Sequence, residues 1–182
     1  MYSKSKKVDF IKNIVLTGFM MAGKSKIGRT LAQIAGYMFV DTDDLIVQDE
    51  KRDINSIFEK DGEEYFRNVE SKIIREVSER KGCVVSTGGG AVLKKENIDN
   101  LRRNGVVVNL KITPEVIKSR IESERETRPV IKDLDIDGVL KKLESRNPFY
   151  ENCDYSIIVS DDKTPEEHAQ MIMGILKGNG EI

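Results

Sequence analysis

The sequence predicts an α/β fold built on an open parallel sheet. Five short runs rich in Val and Ile recur along it, a helical pattern follows each, and the β-α alternation persists from Asn13 to the C-terminal end. Strands that are continuously apolar, rather than alternating, are covered on both faces, as in parallel sheets with right-handed crossovers. Such sheets bind ligands beyond the carboxyl ends of their strands, so the residues just after each strand are the candidates for chemistry.

The first strand is "NIVLT", Asn13–Thr17. The helix after it spans Lys24–Ala35, with Ile27, Leu31, Ile34 and Ala35 on one face and Gly36 as the stop. The second strand is "YMFV", Tyr37–Val40, followed by a helix from near Asp43. Residues 43–82 then form an insert that reads as two or three helices. The third strand, "CVVST", spans Cys83–Thr87 and precedes a helix around Lys94–Asn104. The fourth, "VVVNL", spans Val106–Leu110 and leads into "TPEVIKSRI". Residues 122–137 are charged, contain a proline and lack periodicity, which suits a mobile lid. The fifth strand is "YSIIV", Tyr155–Val159, before "TPEEHAQMIMGIL". Both "TPE" openings combine a capping Thr, a first-turn Pro and a Glu at the positive helix end; Thr164 and Glu167 match a capping box. His168, in that polar helix start, reads as a surface residue.

The 182 residues suit one domain, 1–182, with its core over about 13–178. With 30 basic and 31 acidic side chains, no global field favours nucleic acid or membrane, so neither is expected as a partner. The N-terminus is basic but has no apolar h-region, and no run is long enough to cross a membrane. Cys83 and Cys153 lie far apart and read as reduced thiols of a cytoplasmic protein.

Gly18, four residues, then Gly23-Lys24-Ser25 is a complete Walker A pattern between a strand and a helix. Main-chain amides over Met21, Ala22, Gly23, Lys24, Ser25 and Lys26 would converge on the phosphates of ATP. Lys24 would bridge the β- and γ-phosphates, and the Ser25 hydroxyl would bind Mg²⁺. No Asn-Lys-x-Asp base-reading motif of a GTPase is present, and the third strand ends without an acid. Asp41 and Asp43 of "VDTD" follow the second strand instead; one could hold a magnesium water while the other meets the acceptor, or either could cap the next helix. Three consecutive glycines, Gly88–Gly90, follow the third strand at a large entropic cost unless bare backbone has a use there.

"GFMMAGKSKIGRTLA", "DTD", "FRNVE", "STGGGAV", "RPV" and "RNPFY" stand in the order and rough spacing of the shikimate kinases, and the resemblance runs from about Asn13 to Gly178. Walker A alone is widely shared; the joint set is specific. The resemblance implies a P-loop kinase of the nucleoside-monophosphate-kinase type: a three-layer α/β/α sandwich around a five-stranded parallel sheet, with a substrate-binding helical insert and a mobile lid. It implies transfer of the γ-phosphoryl of ATP to the 3-hydroxyl of shikimate. Arg67 and Arg146 would then grip the shikimate carboxylate, Asp43 would orient or deprotonate the attacking hydroxyl, and Gly88, Gly89 and Gly90 would lie against substrate. Asp41 would hold Mg²⁺ and Arg128 would be the catalytic lid arginine. Arg120 resembles the adenine-stacking arginine, with Arg125 competing, and Lys163 and Pro165 would flank adenine on its other side. The family is mostly monomeric and cytosolic. Two residues depart from it: Met21 stands where glycine is usual and Lys26 where threonine is usual. A gluconate kinase would share the phosphate loop and lid but need fewer arginines, and a non-catalytic nucleotide-binding regulator would bind ATP without transferring phosphate.

Overall fold

The computed structural model describes residues 11–124 and 135–182. Strands β1 (Asn13–Thr17), β2 (Met38–Asp41), β3 (Cys83–Ser86), β4 (Gly105–Ile112) and β5 (Tyr155–Val159) form one sheet in the order β2-β3-β1-β4-β5, with every pairing parallel. β1 is central and wholly buried, with Ile14 in register with Val84 on one side and Val106 on the other. That position explains its unbroken apolar run: both faces meet helices, so no alternation survives.

The helices are α1 (Lys24–Ala35), α2 (Thr42–Glu50), α3 (Ile54–Ser78), α4 (Lys95–Arg103), α5 (Pro114–Glu124), α6 (Ile136–Tyr150) and α7 (Pro165–Gly178), with a 3-10 turn at Ala91–Leu93. They cover both faces of the sheet, α1 beside α7 and α3 beside α4. β2 starts one residue later than the sequence suggests. The Tyr37 amide donates to the Ala32 carbonyl at 2.9 Å, completing the turn that left-handed Gly36 makes at the end of α1. β4 is longer at both ends than Val106–Leu110.

The insert consists of α2 and α3, and α3 breaks at Gly62 (φ 82°, ψ 176°), which gives three helical pieces. Phe58 and Phe66 stack across the break with ring centroids 4.5 Å apart. α5 extends through Glu124 and α6 begins at Ile136, so both margins of the expected loop 122–137 are helical; its centre lies outside the described residues. The capping box at Thr164 and Glu167 forms. Cys83 and Cys153 are free thiols. Among the described residues no helix is long and apolar enough to cross a membrane.

The carboxyl ends of β1, β2 and β3 lie side by side, so the Walker A loop, the aspartates and the triple glycine share one edge of the sheet.

Candidate active site

The loop after β1 is shaped by what its backbone must avoid. Gly18 has φ 146°, and a Cβ there would sit 2.6 Å from the Leu110 carbonyl oxygen. Gly23 (φ 81°) immediately precedes α1, whose N-terminus has no side-chain cap among the described residues. The first amides of α1 therefore remain free to meet an anion, and the helix dipole favours one. They open onto a cleft of about 480 Å³ lined by Met21–Ile27, Asp41, Asp43, Ser86, Thr87, Arg120, Val159, Lys163, Pro165 and His168. Ala22 is buried and can offer only main chain; Lys26 is exposed at the rim.

Met21 adopts φ 63°, the left-handed region, at a cost of about 1–2 kcal/mol for a residue with a side chain. Its side chain still packs on the core, and its carbonyl accepts a 2.5 Å hydrogen bond from Arg120. Arg120 also donates to Asp161 at 2.8 Å, bridging the phosphate loop to the turn after β5. Lys24 Nζ donates to the carbonyls of Gly18 (2.8 Å) and Phe19 (2.9 Å). Burial pushes its ammonium down to about 8, against the opposing pull of Asp43 and Asp41.

Asp41 does two things at once. Its Oδ1 accepts from the Asp43 amide at 3.0 Å, capping α2, and its Oδ2 accepts from the Ser25 hydroxyl at 2.7 Å. Of the two aspartates, Asp41 is thus the helix cap, and the Asp43 carboxylate is left facing the cleft. Burial and the neighbouring Asp41 carboxylate push the Asp43 carboxyl up, while Lys24 and Arg67 pull it down.

Beyond Asp43 the site continues into the insert. A Cβ on Gly88 would lie 2.6 Å from Asp43 Oδ1 and 3.0 Å from Glu70 Oε1, and one on Gly90 would overlap the Arg67 guanidinium. A Cβ on Gly89 would meet nothing closer than 3.5 Å, so that position is not closed by protein. The Gly88 amide donates to the Thr42 hydroxyl at 3.0 Å. Arg67 is fixed on α3 by Glu70 at 2.8 Å and Glu63 at 3.1 Å. Tyr150, at the end of α6, donates its hydroxyl to the Gly89 carbonyl at 2.5 Å, and Arg146 lies near its phenol. Burial pushes the Tyr150 phenol up to about 12, with Arg146 and Arg67 opposing. Asp43 thus links two compartments: a nucleotide-sized cleft with free helix amides, and a region where Arg67 lies against the triple glycine and Tyr150, with Arg146 beside it, bonds Gly89.

The family model described as shikimate kinase matches residues 20–177. The chain belongs to the shikimate kinase family. It is 43% identical over 166 residues to a shikimate kinase of Caldicellulosiruptor saccharolyticus, covering 91% of this chain and 95% of that one. A solved shikimate kinase from Acinetobacter baumannii in complex with shikimate matches with TM-score 0.82 and 33% identity, over 93% of this chain and 94% of that one. A gluconokinase from Sinorhizobium meliloti, at TM-score 0.59 and 19% identity over 93% of this chain and 95% of that one, shares the fold.

As a shikimate kinase family member the chain is an ATP-dependent kinase acting on a small-molecule alcohol. Of the residues singled out in the sequence, those of the phosphate loop, Asp41, Asp43, Arg120, Lys163 and Pro165 border the cleft, and Arg67, Gly88–Gly90 and Arg146 adjoin it through Asp43 and Tyr150. Arg128 and Arg125 lie outside the described residues. His168 is a correction: it is 1% exposed rather than on the surface. It falls on the apolar stripe of α7 with Ala169, Ile172 and Leu176, which packs beside α1.

Glu70 and Tyr150 were not read as site residues. Glu70 is fully buried, its Oε1 has no hydrogen-bond partner among the described residues, and burial pushes its carboxyl up against the pull of Arg67. Its signal was in the sequence. Phe66, Ile73, Ile74 and Val77 mark a buried helical stripe, and Glu70 is an acid on that stripe three residues after Arg67.

Proposed function

We propose that this chain transfers the γ-phosphoryl of ATP to the 3-hydroxyl of shikimate, giving 3-phosphoshikimate and ADP, as a monomer in the cytoplasm without nucleic-acid or membrane partners. The observation that carries the substrate is the Arg67 guanidinium against Gly90 beside Asp43, with Arg146 next to the Tyr150 phenol that bonds Gly89. Two guanidinium forks suit a carboxylate, and a neutral polyol needs neither. The bound ligand of the Acinetobacter baumannii enzyme supports the same reading.

In this mechanism the free amides of α1 and Lys24 hold the triphosphate, and Lys24 exchanges its carbonyl partners for phosphate oxygens. Arg67 and Arg146 seat the carboxylate, which leaves the ring hydroxyls toward Asp43. The raised carboxyl of Asp43 makes it a better proton acceptor than an ordinary aspartate as the hydroxyl attacks. Bare backbone at Gly89 lets the ring approach, while Gly88 and Gly90 make room for Asp43 and Arg67. Arg128 is the lid cation that meets the transferring group, and Arg120 with Lys163 and Pro165 flanks the base.

Ser25 and Asp41 fit Mg²⁺. Their oxygens lie 2.7 Å apart at the phosphate end of the cleft, and no cluster of three His, Cys, Asp or Glu exists among the described residues. That donor set suits an ion that keeps its waters and takes the rest of its shell from phosphate. When bound, Mg²⁺ neutralises charge on the β- and γ-phosphates.

Arg67→Lys tests the assignment while leaving a cation for buried Glu70. The shikimate KM should rise tenfold or more and the ATP KM should stay within about twofold. Equal rises in both would refute the role of Arg67.

A further inference from the structure

We infer that His168 is a positioning residue for the base side of the nucleotide cleft; this rests on the proposed placement of the base against the turn after β5. The ring borders the cleft, yet it is buried and uses both its nitrogens. Nδ1 lies 2.9 Å from the Thr164 carbonyl, and the Ser160 amide donates to Nε2 at 3.4 Å. A carbonyl can only accept and an amide can only donate, so this network assigns the neutral tautomer with its proton on Nδ1. The imidazole therefore ties together the two ends of the turn Ser160–Thr164.

That turn carries Asp161, which accepts from Arg120, and Arg120 donates in turn to the Met21 carbonyl of the phosphate loop. A hydrogen-bonded chain runs from His168 through the turn and Arg120 to the loop that grips phosphate. The neighbouring positions on the buried face of α7 are Ala169, Ile172, Met173 and Leu176. An aliphatic residue would serve packing equally well at His168; only a side chain with a donor and an acceptor in this geometry fixes the turn. The phosphates depend on α1 and Lys24, so loss of the brace should be felt by the base and not by the phosphates.

The test uses the full chain and two variants. His168→Phe keeps a ring but loses both bonds, and His168→Gln keeps an oxygen able to accept from Ser160. Calorimetric titration with ADP and with inorganic tripolyphosphate separates base from phosphate binding. His168→Phe should weaken ADP about fivefold to tenfold, leave tripolyphosphate within about twofold, and raise the ATP KM without changing the shikimate KM. His168→Gln should recover ADP affinity to within about threefold of wild type. Tripolyphosphate binding also reports that each variant is folded. Unchanged ADP affinity in His168→Phe, or equal weakening of both ligands, would overturn the inference. Arg120→Ala is the companion measurement. If it weakens ADP while His168→Phe does not, the base-side reading stands and the role of His168 falls. If neither weakens ADP, both fall.

Discussion

Lys24 should make folding stability depend on pH in a way its replacement removes. Its pKa is 10.5 in an unfolded chain and about 8 in the fold, because burial disfavours the ammonium. Between those values the unfolded chain holds a proton that the folded chain lacks, so stability rises with pH across the window. For a base with a depressed folded pKa, the cost is complete below about 8 and gone above 10.5. Integrating the two titrations gives a cost of roughly 3 kcal/mol at pH 7 and about 1 kcal/mol at pH 10. Part of the side chain still meets water, so these are upper bounds. Lys24→Met has no such titration. Urea unfolding of both proteins at pH 7, 8, 9 and 10 should show wild type gaining on Lys24→Met by up to about 2 kcal/mol from pH 7 to pH 10. Groups remote from Lys24 cancel in the comparison, and the two it touches electrostatically, Asp43 and Asp41, are carboxylates, whose ordinary range lies below this window. A difference that stays flat across the range would show that the lysine is not held in a desolvated site.

Asp43→Asn should lower kcat by about 100-fold or more and leave ADP affinity within about twofold; wild-type turnover would rule out Asp43 as the proton acceptor. In the wild type, kcat/KM for shikimate should fall on the acid side at a pH above the ordinary carboxylate range, since burial raises Asp43; an acid limb at or below that range would contradict this. Gly90→Ala places a methyl group where the Arg67 guanidinium lies, so the shikimate KM should rise tenfold or more with ADP binding intact, and an unchanged shikimate KM would show that Arg67 does not bind substrate.

Much of this arrangement was legible because the sequence states it locally. The strands are short apolar runs between helices, and a parallel sheet buried on both faces produces that pattern. Gly18, Gly23, Lys24 and Ser25 belong to a contiguous motif whose spacing is set by the turn itself. What the sequence left open was decided by tertiary contact. The residues alone left Asp41 and Asp43 interchangeable; the Asp43 amide bonding Asp41 marks Asp41 as the cap. His168 looked solvated among Glu166, Glu167 and Gln170, but helical periodicity carries it to the face against α1. Met21, standing where glycine is usual, takes a left-handed φ and still packs on the core, with its carbonyl bonded to Arg120. The tyrosine bond to Gly89 joins residues 61 positions apart and has no local trace.

The central claim is that a nucleotide held at α1 faces an organic acid held by Arg67 and Arg146. Coupled ADP release measured side by side with shikimate, gluconate and nucleoside monophosphates tests it most directly. Turnover should appear with shikimate and be at least a hundredfold lower with the others. ADP release that is equal for gluconate, or absent with every acceptor, would contradict the account.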